Sequence, residues 1–325
     1  MKKIYFLWGL LLVLSLLFGY FLGRLDFFGF LDGRHEVNFI FLLGALITSY
    51  FLTLIVIFID LVKNKNEYIF YGVGSLLFTG VFALVNGNIL AALAAGLLFI
   101  GFLWIVAHHA RRRLEMFVHF YPNEVFFPIL KRGFLFVVGM FAVINFFQSQ
   151  IRLENNTLIS PGLVKTISKP FIVVFNKQLE KQLQDELGNQ SGSTDNTAAR
   201  KQIVEFVLVQ TIQSTLNADG KGIGIKPNDI PADKAIVYQN GGIDITPVIH
   251  DMTDEIALAL NIRLQPYIFI APFIVALATI IIFQPLMWPI ELVENFISKL
   301  IFFILLRSGF IKIQKETREV ERISI

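Results

Sequence analysis

Long apolar stretches alternate with short polar segments through the first half of the chain. A helix needs about 20 mainly apolar residues to cross the hydrocarbon core of a membrane. Five stretches there approach or exceed this length, and a sixth follows a long polar interval. They run from Ile4 to Leu22, Phe39 to Val62, Tyr68 to Val85, Ile89 to Ala107, Gly133 to Phe147 and Tyr267 to Phe283. The pattern predicts six transmembrane helices.

The first apolar stretch has two interpretations, a retained membrane anchor or a cleaved signal peptide. Lys2 and Lys3 precede it, as in a signal peptide. However, the stretch is longer than the usual signal core, and it ends in Leu22-Gly23-Arg24 without a small-x-small cleavage pattern. These two features favour a retained anchor.

The polar interval predicts a separate, mainly helical domain. Residues 150–265 carry 11 Lys and Arg against 13 Asp and Glu, whereas the rest of the chain is net positive. Ser160-Pro161 is a typical helix start, and apolar residues then recur every three or four positions. Thr246-Pro247 resembles a second start, a short strand is predicted over Ala235–Tyr238, and a flexible linker and a second helix are predicted over 188–196 and 198–216.

The distribution of basic residues predicts the orientation in the membrane. With the N-terminus inside, the inner segments hold nine Lys and Arg and the outer loops hold only Arg24 and Arg34. The inner residues that determine this topology most strongly are Arg111, Arg112, Arg113, Lys131 and Arg132. We therefore expect a multi-pass protein of the cell (plasma) membrane with a cytoplasmic N-terminus and residues 150–265 extracytoplasmic.

The predicted fold is an all-α polytopic membrane protein with about six transmembrane helices and an extracytoplasmic helical insertion. Residues 1–149 form the N-terminal five-helix membrane region and 150–265 the insertion domain. Residues 266–325 contain the last transmembrane helix, an amphipathic helix and a basic cytoplasmic tail. The linker 114–130 mixes aromatic and charged residues, which predicts a broken segment on the inner membrane surface.

The C-terminal segment leaves the number of spans open. Gln284 to Pro289 contains two prolines and is predicted to break the sixth helix. Beyond it, Glu291, Glu294, Asn295 and Ser298 recur on one helical stripe. This segment could lie along the inner surface, return outward as a seventh span, or line an aqueous path. The basic tail favours an inner C-terminus and six spans, and its final residues could form a short strand pair.

Composition excludes several classes of protein. Hydrophobic residues make up 55% of the chain, charged residues only 16%, and the mean hydropathy is +0.64. Soluble domains average about 25% charged residues, so neither a soluble enzyme nor a disordered chain fits. The net charge of +3 is too small for a nucleic-acid-binding protein. The absence of Cys excludes disulfides and thiolate metal sites.

Three groups of residues could carry chemistry, and each has a simpler explanation. Residues 217–228 resemble a calcium loop, but Lys221 stands at a ligand position and no closing Glu follows. His108, His109, Glu115 and His119 lack metal-site spacing, and three arginines interrupt them. His250, Asp251, Asp254 and Glu255 lack a nucleophile, which favours a solvated helix face. We expect no catalytic residue, metal or cofactor.

Small residues in two spans predict close helix packing. Gly19 and Gly23 form one such face, and Ala92 and Gly96 form another. Asn145 and Gln148, near the end of the fifth span, are candidates for interhelical hydrogen bonds. These patterns are common in membrane helices and support bundling.

The leading functional hypothesis is a non-enzymatic structural, assembly or interaction role through the extracytoplasmic domain. Its expected partners are the lipid bilayer and other membrane protein subunits or further copies of the chain, and no nucleic acid. The alternative is an oligomeric channel or permease with a polar stripe at Glu291 and Glu294. A third hypothesis, a membrane enzyme around His250 and Asp254, lacks a nucleophile.

Overall fold

A computed structural model describes residues 2–32, 35–61, 67–116, 122–188, 201–210, 230–238, 243–267 and 269–311. These residues are mostly helical. The α-helices are α1 (Lys2–Arg24), α2 (Phe27–Leu31), α3 (His35–Leu61), α4 (Glu67–Asn86), α5 (Ile89–Met116), α6 (Pro122–Glu154), α7 (Pro161–Gly188), α8 (201–210), α9 (Thr246–Asp251), α10 (Thr253–Leu264) and α11 (Ala271–Arg307). Two short strands are β1 (Ile236–Val237) and β2 (Ile243–Asp244).

Six helices within the described residues are long and apolar enough to cross a membrane, which confirms the predicted number. Their candidate spans are Ile4–Arg24, His35–Asp60, Tyr68–Asn86, Ile89–Arg113, Glu124–Glu154 and Ala271–Arg307. Five precede the polar interval and one follows it. The protein therefore has the helices of a multi-pass membrane protein.

The linker between the fourth and fifth spans differs from its prediction. Helix α5 continues to Met116, and α6 begins at Pro122 and runs without interruption to Glu154. A broken segment over 122–130 is therefore wrong, and residues 117–121 lie outside the described residues. Proline at the first helical position leaves no intrahelical donor missing, and Pro128, inside the helix, lacks only its own backbone donor.

Helix α11 also differs from its prediction, because it continues through both prolines. Pro285 and Pro289 lie inside a single helix of 37 residues, about 55 Å long at 1.5 Å per residue. The predicted break, and with it a separate surface helix or a returning seventh span, is wrong. In an apolar solvent the backbone has no alternative hydrogen-bond partners, so a helix persists despite the one bond that each proline removes.

The chain divides into two compact packing units. Unit 1 comprises Met1–Arg24, Phe41–Val143 and Ala278–Ile325, and unit 2 comprises Leu25–Ile40 and Ile144–Leu277. The domain boundaries predicted from the sequence separate membrane segments from an extracytoplasmic segment. The two units, in contrast, are groups of residues that pack against one another.

Unit 1 has an aromatic core where α1, α4 and α5 meet. The rings of Phe78 and Phe99 stack with centroids 4.3 Å apart, and Phe18 lies 5.4 Å from Phe78. A Cβ on Gly19 would lie 2.7 Å from the Phe78 carbonyl oxygen, and a Cβ on Gly96 would lie 2.3 Å from Thr79 Oγ1. Glycine at these positions therefore permits α4 to lie close to α1 and to α5.

Gly23 and Ala92, the other two small residues predicted to permit close helix packing, also lie at contacts between helices. A Cβ on Gly23 would lie 3.0 Å from Val85 Cγ1, and Ala92 is almost fully buried. The turn between α4 and α5 has Gly87 at φ +76°, a conformation that favours glycine. Asn88 Oδ1 then accepts a hydrogen bond from the Ala91 amide, which caps the start of α5.

Unit 2 combines helices α7 to α10 with a two-stranded antiparallel sheet. Ser160 Oγ accepts a hydrogen bond from the Leu163 amide, which confirms the predicted start of α7. Strand β1 confirms the short predicted strand, and it pairs with the unpredicted β2 in the register Ile236 with Asp244. The core is formed by Val204, Leu208, Val248, Met252 and their apolar neighbours.

Two predictions in unit 2 have other outcomes. The helix predicted to begin at Thr246 is divided at Met252 into α9 and α10. The flexible linker, most of the predicted second helix and the glycine-rich turn at 217–228 lie outside the described residues, as does the strand pair predicted for the C-terminal tail. Of the predicted second helix, 201–210 are helical.

Candidate functional site

One face of α11 carries buried polar residues within unit 1. Glu291 is 2% exposed, Glu294 is 9% exposed and Ser298 is fully buried. Their spacing of three and four residues places them on one side of the helix, and Asn295 lies partly buried beside them. The opposite side presents exposed apolar residues such as Val293, Phe296 and Leu300. The structure thus places the four residues of the predicted stripe together.

Ser298 is hydrogen-bonded on both sides. Its hydroxyl donates to the Glu294 carbonyl oxygen at 2.7 Å. Its oxygen lies 2.9 Å from the hydroxyl oxygen of Tyr50 on α3. Because a serine hydroxyl has one proton, the Tyr50 hydroxyl must be the donor in this second bond. These bonds join α3 to α11 and fix their relative register.

The carboxyl groups of Glu291 and Glu294 form fewer hydrogen bonds than the Ser298 hydroxyl does. Oε1 of Glu291 and Oε2 of Glu294 are buried and have no hydrogen-bond partner in the described part of the chain, and the same is true of Oδ1 of Asn295. Lys131 on α6 attracts Glu291 electrostatically, although the described residues show no ion pair between them. Buried polar atoms are almost always partnered in folded proteins, so these oxygens mark a place for a ligand or a proton.

A second buried carboxylate in unit 1, Asp60, differs in having a cationic partner. Asp60 Oδ1 accepts hydrogen bonds from Arg111 Nη2 at 2.9 Å and Nε at 3.0 Å. Arg111 also donates to the Tyr68 hydroxyl at 2.7 Å and lies over its ring. The sequence placed Arg111 among the topology residues, and its pairing with Asp60 was not predicted. The one available signal was an acidic residue at the end of an apolar stretch.

The other predicted topology residues lie apart from this ion pair. Arg112 and Arg113 on α5 and Arg132 on α6 line, together with His109, a cavity of about 220 Å³. Lys131 is exposed beside Arg132. Helices α5 and α6 therefore bring three guanidinium groups to one concave surface.

The acidic group around His250 is mostly engaged in local structure. Asp251 forms an ion pair with Lys234, and this pairing raises the pKa of the Lys234 ammonium. Asp254 and Glu255 are exposed on α10. A hydrogen bond from the Thr246 side chain is the main cause that lowers the pKa of the Asp244 carboxyl. This arrangement stabilises the start of α9.

The predicted candidates for metal binding are placed only in part. His108 stacks on Trp104, and His109 Nδ1 lies 3.0 Å from the Ile105 carbonyl oxygen. The Glu115 side chain, His119 and the calcium-loop-like segment lie outside what the structure describes. Among the described residues, no group of three or more His, Asp or Glu has an arrangement that could hold a metal.

Gln148 connects separate parts of unit 2. Its Nε2 donates to the Leu25 carbonyl oxygen at 2.7 Å, and its Oε1 accepts a bond from the Phe27 amide at 3.3 Å. Asn145, one turn earlier on α6, is buried. Gln148, near the end of the fifth span, therefore holds the segment that follows α1.

No protein-family model, curated protein or solved structure matches this chain. A functional assignment therefore depends on the geometry of its own residues.

Proposed function

We propose that this chain is a non-enzymatic channel or permease that carries a small cation, with the proton as the smallest candidate, past Glu291 and Glu294. The observation that carries the proposal is the pair of buried carboxyl groups with unpartnered oxygens on α11. A role in the bilayer, alone or as an oligomer, follows from the six apolar helices.

The depth of the glutamates supports this proposal. Tyr50 lies two residues beyond the midpoint of α3, about 3 Å along the helix axis, and it contacts Ser298. Glu294 precedes Ser298 by one turn, about 6 Å. If α3 is centred in a hydrocarbon core about 30 Å thick, Glu294 lies well inside it.

The energetic cost of this position argues against a purely structural role. A charged side chain near the membrane centre costs at least about 2.5 to 3.5 kcal/mol, so such residues are usually functional. A structural polar residue recovers this cost through partners, as Ser298 and Tyr50 do with each other. Glu291 and Glu294 have no equivalent partners among the described residues.

The chemistry of the stripe fits a small hard cation. Glu291 and Glu294 lie three positions apart on one face of α11, and the amide oxygen of Asn295 belongs to the residue that follows Glu294. Carboxylate and amide oxygens are the preferred ligands of hard cations, and two neighbouring carboxyls can also share one proton. A cation entering this site would neutralise charge that the surrounding helices leave uncompensated.

Flux through reconstituted protein tests the proposal. Vesicles containing the full chain would be assayed for H⁺, Na⁺ and K⁺ movement under an imposed membrane potential. We expect flux of at least one of these cations above protein-free vesicles. Glu294→Gln should reduce it at least tenfold, because the amide cannot bind or release a proton and attracts a cation weakly.

Glu124→Gln is the matched control, because Glu124 is an exposed glutamate in the first turn of α6. Its flux should equal that of the unmodified chain. Absence of flux for all three cations, or unchanged flux in a Glu291→Gln, Glu294→Gln double variant, would reject the proposal.

A second candidate function is an assembly role through the segment 150–265. Exposed apolar residues on α7 and α8 favour it, since Phe206 is 71% exposed and Val173 and Val174 are each more than half exposed. Such side chains suit a protein partner or another copy of this chain. Gentle solubilisation followed by mass measurement and crosslinking tests this role. A strict monomer that crosslinks to no other protein would exclude it.

The proposed orientation places the N-terminus in the cytoplasm and residues 150–265 outside the plasma membrane. The excess of basic residues in the short inner segments supports it. Because the chain has no Cys, single-cysteine variants report location directly. A membrane-impermeant maleimide applied to intact cells should label Lys165→Cys and leave Arg112→Cys unlabelled. The reverse labelling pattern would contradict this orientation.

A further inference from the structure

The basic cavity, lined by His109, Arg112, Arg113 and Arg132, has no role in the proposed cation site. Two helices form it, since Arg112 and Arg113 lie near the end of α5 and Arg132 lies on α6. Arginines at the end of a membrane helix are common as topology signals. Convergence of arginines from two helices on one concave surface is a more specific arrangement.

The charge of this cavity is uncompensated within the described residues. Within the part of the chain that the structure describes, Arg112, Arg113 and Arg132 form no ion pair and no hydrogen bond to a carboxylate. Their neighbour Arg111, by contrast, is held by Asp60. Like charges gathered in a concavity repel one another, and a bound anion relieves this repulsion.

The donors suit a phosphate group. Guanidinium groups present paired N–H donors in a planar fork, which matches phosphate oxygens bidentately. The His109 ring is oriented by its bond to the Ile105 carbonyl oxygen. The cavity of about 220 Å³ is several times the roughly 30 Å³ that one water occupies in the liquid, so a hydrated phosphate group fits.

Apolar residues next to the cavity indicate that the phosphate belongs to a lipid. Leu135 follows Arg132 by three residues on α6 and is 54% exposed, and Trp104 precedes Arg112 by two turns on α5 and is 55% exposed. Tryptophan is enriched at the membrane interface, where headgroups meet acyl chains. A basic concavity bordered by apolar surface on both helices matches a headgroup attached to acyl chains.

We propose that the basic cavity binds the phosphate group of an anionic phospholipid headgroup at the membrane surface. The site is independent of Glu291 and Glu294, so failure of the cation proposal would leave it standing.

Native mass spectrometry of the full chain in neutral detergent tests this site. The probes are phosphatidylglycerol, phosphatidylcholine and inorganic phosphate, each titrated separately. The test variant carries Arg112→Gln, Arg113→Gln and Arg132→Gln. The control variant carries Lys165→Gln, Lys169→Gln and Lys181→Gln, which removes equal charge from exposed positions on α7.

We expect phosphatidylglycerol to bind the unmodified chain and the control variant equally, and phosphatidylcholine to bind weakly. Each arginine near the headgroup contributes about fivefold to affinity, so the test variant should lose on the order of a hundredfold. A charge-preserving variant, Arg112→Lys with Arg113→Lys and Arg132→Lys, should bind with an affinity between those of the unmodified chain and the test variant, because an ammonium keeps the charge and loses the bidentate fork. Its thermal midpoint verifies folding.

Two outcomes would overturn the proposal. Equal loss of phosphatidylglycerol in the test and control variants would show that only overall charge matters, as expected for residues that set topology alone. Saturation by inorganic phosphate without any preference for phosphatidylglycerol would show that the cavity recognises free phosphate and not a lipid.

Discussion

Unit 1 and unit 2 satisfy their buried polar groups in different ways. In unit 2, Gln148, Arg152 and Asn261 each bond to a segment more than 100 residues away in sequence. In unit 1, hydroxyls such as Ser15 and Thr79 bond to a carbonyl of their own helix, four residues earlier. Helix contacts there depend on glycine and aromatic side chains.

This difference between the units guides the interpretation of Glu291 and Glu294 on α11. Lipid gives apolar helices little hydrophobic reason to associate, so membrane helices depend on close packing and keep polar groups satisfied locally. Ser298 follows this rule through its bond to the Glu294 carbonyl oxygen, and it also bonds to Tyr50 on α3. Glu291 and Glu294 form no such bond through their carboxyl groups among the described residues, whereas Asp60 is held by Arg111 through Oδ1. Two neighbouring acidic side chains that break this pattern on one helix face are best explained by function.

The largest expected effect concerns packing in unit 1. Gly19→Leu would place a Cβ 2.7 Å from the backbone oxygen of Phe78, and backbone cannot move aside easily. We expect a loss of about 3 kcal/mol in the free energy of unfolding, measured by denaturant titration in detergent. Gly9→Leu on the same helix is the control, because a Cβ at Gly9 meets nothing within 4 Å. Equal losses would contradict the close approach of α1 and α4.

The next effect concerns the cross-linking bonds of unit 2. Asn261, 1% exposed, accepts a bond from the Ile159 amide and donates to its carbonyl oxygen, each at 2.8 Å. Asn261→Ala leaves both groups unpaired and should cost about 2 kcal/mol. Amide hydrogen exchange at Ile159 should accelerate accordingly. Asn155→Ala, at an exposed position, should change little, and an unchanged Ile159 exchange rate in Asn261→Ala would show that these bonds are not formed.

A smaller effect of opposite sign is expected at the unpartnered carboxyls. Glu294→Gln keeps the shape of the side chain and removes a buried ionisable group next to Glu291. We expect it to stabilise the protein by about 1 kcal/mol while reducing cation flux. A Glu294→Gln variant that is clearly less stable would show instead that Glu294 is a structural residue with an essential partner.

The smallest effect concerns pH at the start of α9. Because the pKa of Asp244 is lowered on folding, its stabilising contribution is present above the ordinary value near 3.8 and is lost as the pH falls through the folded value. The exchange protection of the Thr246 amide, which bonds to Asp244 Oδ1 at 2.8 Å, should fall as the pH drops below about 3.8. Asp244→Asn should abolish this pH dependence, and its persistence there would assign the effect to another group.

The sequence predicted the apolar helices well because hydrophobic length is a strong signal in a membrane protein. Each of the six candidate spans overlaps a predicted stretch, and four of them contain one entirely. The prolines of α11 misled the prediction, because the rule that proline breaks helices comes from water, where freed backbone groups have other partners. The mixture of aromatic and charged residues likewise misled the prediction of a broken segment over 122–130.

The sequence predicted which residues form the candidate site, but it did not predict which residues they contact. Helical spacing placed Glu291, Glu294, Asn295 and Ser298 on one stripe, but it could not show which neighbours that stripe meets. Tyr50 lies 248 residues from Ser298 in sequence, and Asp60 lies 51 residues from Arg111. Such pairings depend on how the helices pack, which no local pattern contains.

Carbodiimide labelling tests most directly whether Glu291 and Glu294 form a cation site. Dicyclohexylcarbodiimide is apolar and reacts with carboxyl groups inside membranes, and mass spectrometry locates the adduct. The account predicts an adduct at Glu291 or Glu294 whose formation slows severalfold with added Na⁺ or K⁺, or with rising pH if the cation is the proton. Labelling at Glu124 should not respond to the added cations. Absence of an adduct at both buried glutamates, or a rate indifferent to all three conditions, would contradict the account.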